Sequence, residues 1–169
     1  MKCIIQRVSR ASVTLQSGSL KNQQHIVASQ QPQYSSTIGK GIVALIGIEK
    51  TDSDKDVEYM VKKLLTLRLW PNNDNGKQWD LDVTQVDGEI LCVSQFTLCG
   101  RNKKGSSLDF SRAMAPGQAK DMYERLIGLL RESYGHDKVK DGVFGAMMDV
   151  QIENSGPVTI VLESPKESA

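Results

Sequence analysis

Two short segments of this 169-residue chain combine residue types that are suited to chemistry. The first is Ser94-Gln95-Phe96-Thr97-Leu98, where polar side chains abruptly follow an apolar, strand-like run. Phe96 can stack on a nucleic-acid base, Ser94 and Gln95 can hydrogen-bond to it, and the backbone N–H groups can stabilise an oxyanion. A strand with a half-polar face explains the same pattern, and the pattern alone leaves both interpretations open.

The second segment is Gly156-Pro157, which lies between two runs of alternating apolar and polar residues. Proline cannot donate a hydrogen bond to a sheet and glycine has no side chain to pack, so a turn at residues 154–157 joining two half-buried strands is the simpler interpretation. The alternative is a rigid finger, with two carbonyl groups held at a fixed angle and a bare glycine that lets another molecule approach closely.

Other catalytic machinery is not visible in the sequence. The two histidines, His25 and His136, have no neighbouring nucleophile, and no cluster of His, Cys and Asp has the spacing of a metal site. Neither a phosphate-binding glycine loop nor a nucleophile elbow is found. We therefore expect no metal and no cofactor. An enzyme of this kind would place backbone donors and exclude water, or would borrow a reactive group from its substrate.

Composition limits the class of protein. A net charge of +1, with 39% hydrophobic and 24% charged residues, is typical of a soluble globular domain. We expect one domain over residues 1–169, with a flexible polar insertion at about 17–37. A protein that grips a long stretch of nucleic acid is usually far more basic, so any such contact should be small and local.

The cysteines and the apolar runs bear on location. Cys3, Cys92 and Cys99 form no C-x-x-C pair, so we expect buried, reduced thiols and a cytoplasmic protein. The longest apolar run, residues 41–48, is far shorter than the roughly 20 residues of a membrane helix, so no membrane contact is expected.

The apolar periodicity predicts more strands than helices. Strands are expected at residues 2–8, 11–15, 41–48, 89–98, 144–152 and 158–162. One helix should follow the capping residues 51–54 and run to about Leu67, and a second should begin at Pro116. Residues 71–76 and 100–109 are predicted to be loops. The fold class is then α+β, with a curved, largely antiparallel sheet and two main helices.

The two segments, with residues 154–159 around Gly156-Pro157, resemble the signature motifs of the D-aminoacyl-tRNA deacylase family. The resemblance extends in order through Gln6-Arg7-Val8, Leu67-Arg68-Leu69-Trp70, Lys103-Lys104-Gly105, Phe110-Ser111-Arg112-Ala113 and Phe144-Gly145-Ala146. It implies a homodimer that hydrolyses the ester between a D-amino acid and the 3′-terminal adenosine of tRNA.

The resemblance also implies roles for individual residues. Gly156 and Pro157, joined by a cis bond, would enter the partner's active site and present their carbonyl groups to the chiral carbon of the substrate, and Arg7 would brace them. The pocket for the terminal adenosine and the scissile ester would be lined by Ser94, Gln95, Phe96 and Thr97, with Ala113, Phe144 and Met148 nearby. Arg101, Lys103 and Lys104 are either phosphate contacts or members of a solvated loop.

The implied chemistry needs little side-chain machinery. The N–H groups of Phe96 and Thr97 would hold the oxyanion, and the Thr97 hydroxyl, which no visible base activates, would position rather than attack. An L side chain would clash with the rigid carbonyls, whereas D residues and glycine would be accepted. A non-catalytic nucleic-acid-binding module and a small-molecule esterase are the competing functional classes.

Overall fold

The computed structural model describes residues 1–16, 35–103 and 105–166. Ten strands are found there: β1 Lys2–Leu15, β2 Ser35–Ile38, β3 Gly41–Gly47, β4 Trp70–Asn72, β5 Lys77–Leu81, β6 Glu89–Ser94, β7 Arg101–Asn102, β8 Leu108–Asp109, β9 Val139–Asp141 and β10 Met148–Glu163. Two α-helices, α1 Asp54–Thr66 and α2 Pro116–Tyr134, and a short 3-10 helix, Phe96–Cys99, complete the described elements. The predicted α+β class is confirmed.

The main sheet has the strand order β10-β1-β3-β6-β9, with β2 paired to β1. Strand β1 is antiparallel to β10, β2 and β3, whereas β6 is parallel to both β3 and β9. The sheet is therefore mixed, with its antiparallel part around β1. The Gly156-Pro157 segment belongs to that antiparallel part, and Ser94 lies at the end of the parallel strand β6.

Strand β1 contributes to two cores on opposite faces of the curved sheet. Its first part packs Cys3 and Ile5 with the helices and with Ile42, Ala44, Ile90 and Cys92. Its second part packs Ala11 and Val13 against Val43, Leu91 and Val93. These three residues alternate along β3 and β6 with the residues of the first core and therefore face the opposite side of the sheet. The strand changes face through two register shifts, between Gln6 and Val8 and between Val8 and Arg10.

Both helices begin close to where the sequence predicts, and α1 ends one residue before its predicted end. Ser53 precedes α1 and its N–H donates to Asp56 Oδ2 at 2.8 Å. The first turn of α2 contains Pro116, and Gly135, with φ +125°, follows its last residue. Helix α2 buries Ala119, Tyr123, Leu126, Ile127 and Leu130, which recur at helical spacing along one face.

Several predicted strand boundaries are wrong. Residues 2–8 and 11–15 form one strand, β1, and residues 35–37 of the predicted irregular insertion lie in β2, where Thr37 pairs with Ser12. Backbone pairing holds this polar edge strand, so it needs no apolar alternation. Residues 17–34, which include His25, lie outside the described part of the chain, so the single domain with a flexible insertion stays a prediction.

Short hairpins replace both predicted loops. Residues 71–76 fall in and beside the β4–β5 hairpin, and residues 100–109 contain the β7–β8 hairpin. Strand β6 ends at Ser94 rather than Leu98, and residues 144–147 form a turn before β10. The unpredicted strand β9 has three residues, too few to show a period.

The three cysteines are free and buried, as predicted. Burial raises the pKa of the Cys3 thiol to about 12. Within the described residues, neither helix has the length and apolar character needed to cross a bilayer.

Candidate active site

Gly156 and Pro157 lie on a bulge within one strand, and the predicted turn between two strands is wrong. Asn154 pairs with Val8 and Thr159 pairs with Gln6, so residues 155–158 stand opposite Arg7 alone. These four residues are called the Gly-Pro bulge below. Its central peptide bond is cis, Gly156 has φ +119°, and Gly156 and Pro157 are exposed. The chain continues in the same direction after the bulge, so Gly156 and Pro157 project from the middle of β10 and not from a turn.

Asn154 ties the two ends of the Gly-Pro bulge together. Its Oδ1 accepts a hydrogen bond from the Val158 N–H at 2.9 Å, and its Nδ2 donates to Thr159 Oγ1 at 3.1 Å. We did not assign a role to Asn154 from the sequence. An asparagine two residues before Gly156-Pro157 was the available signal, because its side chain readily bonds to nearby backbone.

Arg7 lies directly beneath the bulge. Its Nε donates to the Ser155 carbonyl at 3.2 Å and its Nη1 to the Leu69 carbonyl at 2.5 Å. A Cβ atom added to Gly156 would lie 2.8 Å from Arg7 Nη2. One guanidinium therefore connects the bulge to the segment that leads into β4, which is consistent with the bracing predicted for Arg7.

A cavity of about 240 Å³ separates the Gly-Pro bulge from the β4–β5 hairpin. Arg7, Leu69, Trp79 and Pro157 are among its lining residues. Trp79 is 56% exposed and has φ +56°. The bulge therefore faces outward beside a large exposed aromatic side chain.

The 94–97 segment leaves β6 and enters a tight 3-10 helix. The Gln95 N–H donates to the Ile46 carbonyl at 2.7 Å, which ends the strand pairing, and the Leu98 N–H donates to the Gln95 carbonyl at 3.2 Å. The Phe96 and Thr97 N–H groups come before that first bond and so have no acceptor within the helix. Two adjacent donors are thus available, as an oxyanion site requires.

The Thr97 hydroxyl is held by an amide. Gln95 Nε2 donates to Thr97 Oγ1 at 2.5 Å, and Thr97 is exposed. An amide cannot remove a proton from the hydroxyl, so this contact positions Thr97 without activating it.

Phe96 provides the exposed aromatic surface of this site. It is 59% exposed and contacts Phe110 edge-on, with ring centroids 5.3 Å apart. The Ala113 N–H donates to the Phe110 carbonyl at 2.9 Å, and Ala113 also pairs with Glu49 just beyond β3. Ala113 is therefore linked to the 94–97 segment indirectly, through Phe110.

Phe144 and Met148 lie farther along the sheet, in different surroundings. Phe144 packs beside Tyr123 with centroids 5.7 Å apart, and the Tyr123 hydroxyl donates to the Cys92 carbonyl, two residues before Ser94. Met148 packs into the second core, which also contains Val93. Both residues therefore approach β6, from its two different faces.

The thiol nearest to the site is not a nucleophile. Cys99 ends the 3-10 helix, is fully buried, and donates through Sγ to the Ile48 carbonyl at 3.4 Å. Burial raises the pKa of its thiol, so it stays protonated at neutral pH. Within the described ranges, no three His, Cys, Asp or Glu residues are grouped as metal ligands.

The loop cations singled out in the sequence are engaged with a carboxylate. Asp109 contacts Arg101 at 2.8 Å and Lys103 at 3.7 Å. Hydrogen bonds from Ser111, together with those two cations, lower the pKa of Asp109 to about 2. Lys104 lies outside the described residues.

Within one chain the two motifs lie apart. Arg7 lies beside the bulge, four residues along β1 from Cys3. Cys3 pairs with Ile46 of β3, and Ile46 pairs with Ser94 of β6. At about 3.3 Å per residue along a strand and about 4.8 Å between strands, the bulge and Ser94 are on the order of 20 Å apart. A single subunit therefore does not bring the Gly-Pro bulge to the 94–97 segment.

Known proteins resemble the chain over nearly its whole length. A family model described as D-Tyr-tRNA(Tyr) deacylase matches residues 4–163. A D-aminoacyl-tRNA deacylase of Dictyostelium discoideum is 44% identical over 167 residues, which cover 99% of this chain and 100% of that protein. D-aminoacyl-tRNA deacylase 1 of Homo sapiens is 45% identical over 166 residues, covering 98% of this chain and 71% of that protein.

Two solved structures share the fold. One, described as the c-Myc DNA Unwinding Element Binding Protein, is 44% identical with a TM-score of 0.83, covering 98% of this chain and 100% of that one. The other, described as a probable eukaryotic D-amino acid tRNA deacylase, is 16% identical with a TM-score of 0.77, covering 95% and 97%.

Proposed function

Because the chain belongs to the D-Tyr-tRNA(Tyr) deacylase family, we propose that it hydrolyses the ester of D-aminoacyl-tRNA to free D-amino acid and tRNA. The observation that carries the proposal is the start of the 3-10 helix Phe96–Cys99, where two N–H groups without an acceptor in the helix lie beside an exposed aromatic ring. A base stacked on Phe96 would place its ribose ester near those donors.

The reaction adds water to an activated carbonyl group. A water oxygen attacks the ester carbon, and the Phe96 and Thr97 N–H groups stabilise the resulting oxyanion. The bond from carbon to the ribose 3′-oxygen then breaks, and a proton from the water ends on that oxygen. The ribose 2′-hydroxyl of the substrate orients the water, so neither a thiol nor a base from the protein is required.

Handedness is selected by the Gly-Pro bulge of a second subunit. Since the bulge and the 94–97 segment are far apart within one chain, a homodimer must bring one subunit's bulge to the other's pocket. The carbonyl groups of Gly156 and Pro157 then occupy the space that an L side chain would need. Arg7 and Asn154 hold those carbonyl groups in place, as their bonds to the bulge suggest. Arg7 is the bracing residue of this gate.

The remaining pocket residues bind the terminal adenosine. Ser94 and Gln95 supply polar contacts, and Ala113 borders the stacking surface. Phe144 and Met148, which approach β6 from its two faces, are the outer members of the proposed set. Three buried free cysteines favour a reducing compartment, and the proposed location is the cytoplasm.

Deacylation of glycyl-, D-tyrosyl- and L-tyrosyl-tRNA, measured side by side, tests the function and its selectivity. We expect the first two to be hydrolysed and the L form to react at least about 100-fold more slowly, equivalent to about 2.8 kcal/mol. Comparable rates for both tyrosyl esters would rule out selection by exclusion, and no hydrolysis of any ester would rule out the activity.

A non-catalytic nucleic-acid-binding role is the second candidate. It is favoured by one observation, the 44% identity to a protein described as binding a DNA unwinding element. The net charge of +1 opposes a long DNA interface. Duplex binding in the absence of any deacylation would favour this role.

A further inference from the structure

Two exposed cations lie side by side near the Phe96 surface. The Lys50 N–H donates to the Arg112 carbonyl at 2.9 Å, and both residues are exposed. Among residues 1–16, 35–103 and 105–166, neither forms an ion pair. They differ in this respect from Arg101 and Lys103, which both contact the carboxylate of Asp109.

The backbone holds this pair at the edge of the proposed adenosine pocket. Lys50 follows Glu49, which pairs with Ala113, and Arg112 precedes Ala113. The Ala113 N–H in turn donates to the carbonyl of Phe110, and the ring of Phe110 contacts the ring of Phe96. Only a few bonds of rigid backbone therefore separate the two cations from the stacking surface.

The carboxylate of Glu49, which adjoins Lys50 in the chain, is occupied by other cations. Glu49 is 2% exposed and contacts Lys166 at 2.6 Å and Lys2 at 3.6 Å. The hydrogen bond to Glu49 raises the pKa of Lys166. The Arg112 guanidinium lowers that pKa, because its positive charge repels the Lys166 amine. The surface around Lys50 and Arg112 is therefore locally positive in a nearly neutral protein.

We propose that Lys50 and Arg112 bind backbone phosphates of the tRNA strand that immediately precedes the terminal adenosine. This inference rests on the proposed function, because the pocket beside them must hold that adenosine. An Arg fork and a Lys ammonium are the usual partners of phosphate oxygens. Two phosphate contacts fit a protein whose overall charge is small. The paired residues Arg101 and Lys103 are then a secondary contact or none.

Salt dependence of tRNA binding tests the assignment directly. Each phosphate neutralised on a single strand contributes about −0.7 to the slope of log K against log salt. Removing two contacts in a K50A/R112A double variant should make the slope shallower by about 1.4. Between about 50 and 200 mM salt, the Kd of the variant should therefore rise by a factor about sevenfold smaller than the Kd of the wild-type protein does. Uncharged tRNA and fluorescence anisotropy give this readout without catalysis.

Two matched variants serve as controls. Lys120→Ala removes an exposed lysine of α2 that pairs with Glu124, and it should leave the slope unchanged. R101A/K103A removes the same number of charges from the neighbouring hairpin and should change the slope less than K50A/R112A does. A larger effect of R101A/K103A, or an unchanged slope in K50A/R112A, overturns the assignment.

A kinetic comparison separates phosphate binding from damage to the pocket. The ratio of kcat/KM for D-tyrosyl-tRNA to that for 3′-O-D-tyrosyl-adenosine, which lacks phosphates, should fall about tenfold in K50A/R112A. Equal losses on both substrates would mean that the variant damages the pocket, and would overturn the proposal. If the wild-type protein hydrolyses neither ester, the proposed function fails, and the anisotropy result still decides whether these residues bind phosphate.

Discussion

The Gly-Pro bulge and the 94–97 segment are held in place by different means. Side chains hold the bulge, through Asn154 at its ends and Arg7 beneath it. Backbone bonds and close packing hold the segment, because a Cβ on Gly47 would lie 2.9 Å from Leu98 Cβ and 3.1 Å from the Gln95 carbonyl oxygen. Substitutions at the bulge should therefore change its geometry more than global stability, whereas substitutions beneath the segment should change both.

The largest effect is expected from Gly47→Ala. The added methyl group must displace the 3-10 helix, because Leu98 and Gln95 lie within 3.1 Å of its position. We expect the free energy of unfolding to fall by about 1–3 kcal/mol and deacylation to be lost. Urea unfolding and the D-tyrosyl-tRNA assay measure the two consequences.

Gly128→Ala is the matched control. Nothing lies within 4 Å of a Cβ at this position of α2, and alanine favours a helix by about 1 kcal/mol over glycine. It should stabilise the protein slightly and leave the rate unchanged. A Gly47→Ala variant that behaves like Gly128→Ala would show that packing does not hold the segment.

An intermediate effect is expected from Asn154→Ala. The change removes the acceptor for the Val158 N–H and loosens one end of the bulge. One hydrogen bond contributes about 0.5–1.5 kcal/mol, so the ratio of D- to L-tyrosyl-tRNA hydrolysis should fall by up to about tenfold. The urea midpoint should move little.

Asn154→Asp keeps the Oδ1 acceptor and should recover much of the selectivity. Equal losses of selectivity in the Ala and Asp variants would show that the bond to Val158 does not set the shape of the bulge. A large fall in stability in either variant would remove the contrast between the two regions.

The smallest effect is expected from alkylation of the native protein. Burial raises the pKa of Cys99, and also that of Cys3 and Cys92, above the ordinary thiol value. The thiolate fraction is therefore negligible at pH 8, and iodoacetamide should leave mass and activity unchanged. Mass spectrometry checks this, and Cys99 should become reactive in Gly47→Ala. Rapid labelling of Cys99 in the native protein would mean that the 3-10 helix opens readily.

The sequence predicts the elements that have a long, regular pattern. Helix α1 carries capping residues, α2 begins at a proline, and β3 is a continuous apolar run, so their positions could be predicted closely. The β4–β5 and β7–β8 hairpins and β9 have two to five residues per strand. Pairing with a neighbour defines such short strands, and a local pattern does not reveal it.

The candidate site could be predicted as two motifs but not as an arrangement. The residue types of Phe96, Thr97, Gly156 and Pro157 indicate a site from local sequence. The distance between the motifs depends on sheet register, and the bond from Arg7 to the Leu69 carbonyl joins positions 62 residues apart in the chain. Lys50 and Arg112 have no ion-pair partner in the described part of the chain, and this too becomes visible only when their neighbours are known.

The bulge is inserted into a ladder that resumes with the same partner strand on both sides. Each flank of β10 is fastened to β1 independently, so the rest of the sheet does not depend on how far residues 155–158 extend. The closure entropy of a loop rises only slowly with its length. The reach of this projection can therefore be tuned by insertion or deletion without refolding the subunit, which separates the evolution of its selectivity from that of its scaffold.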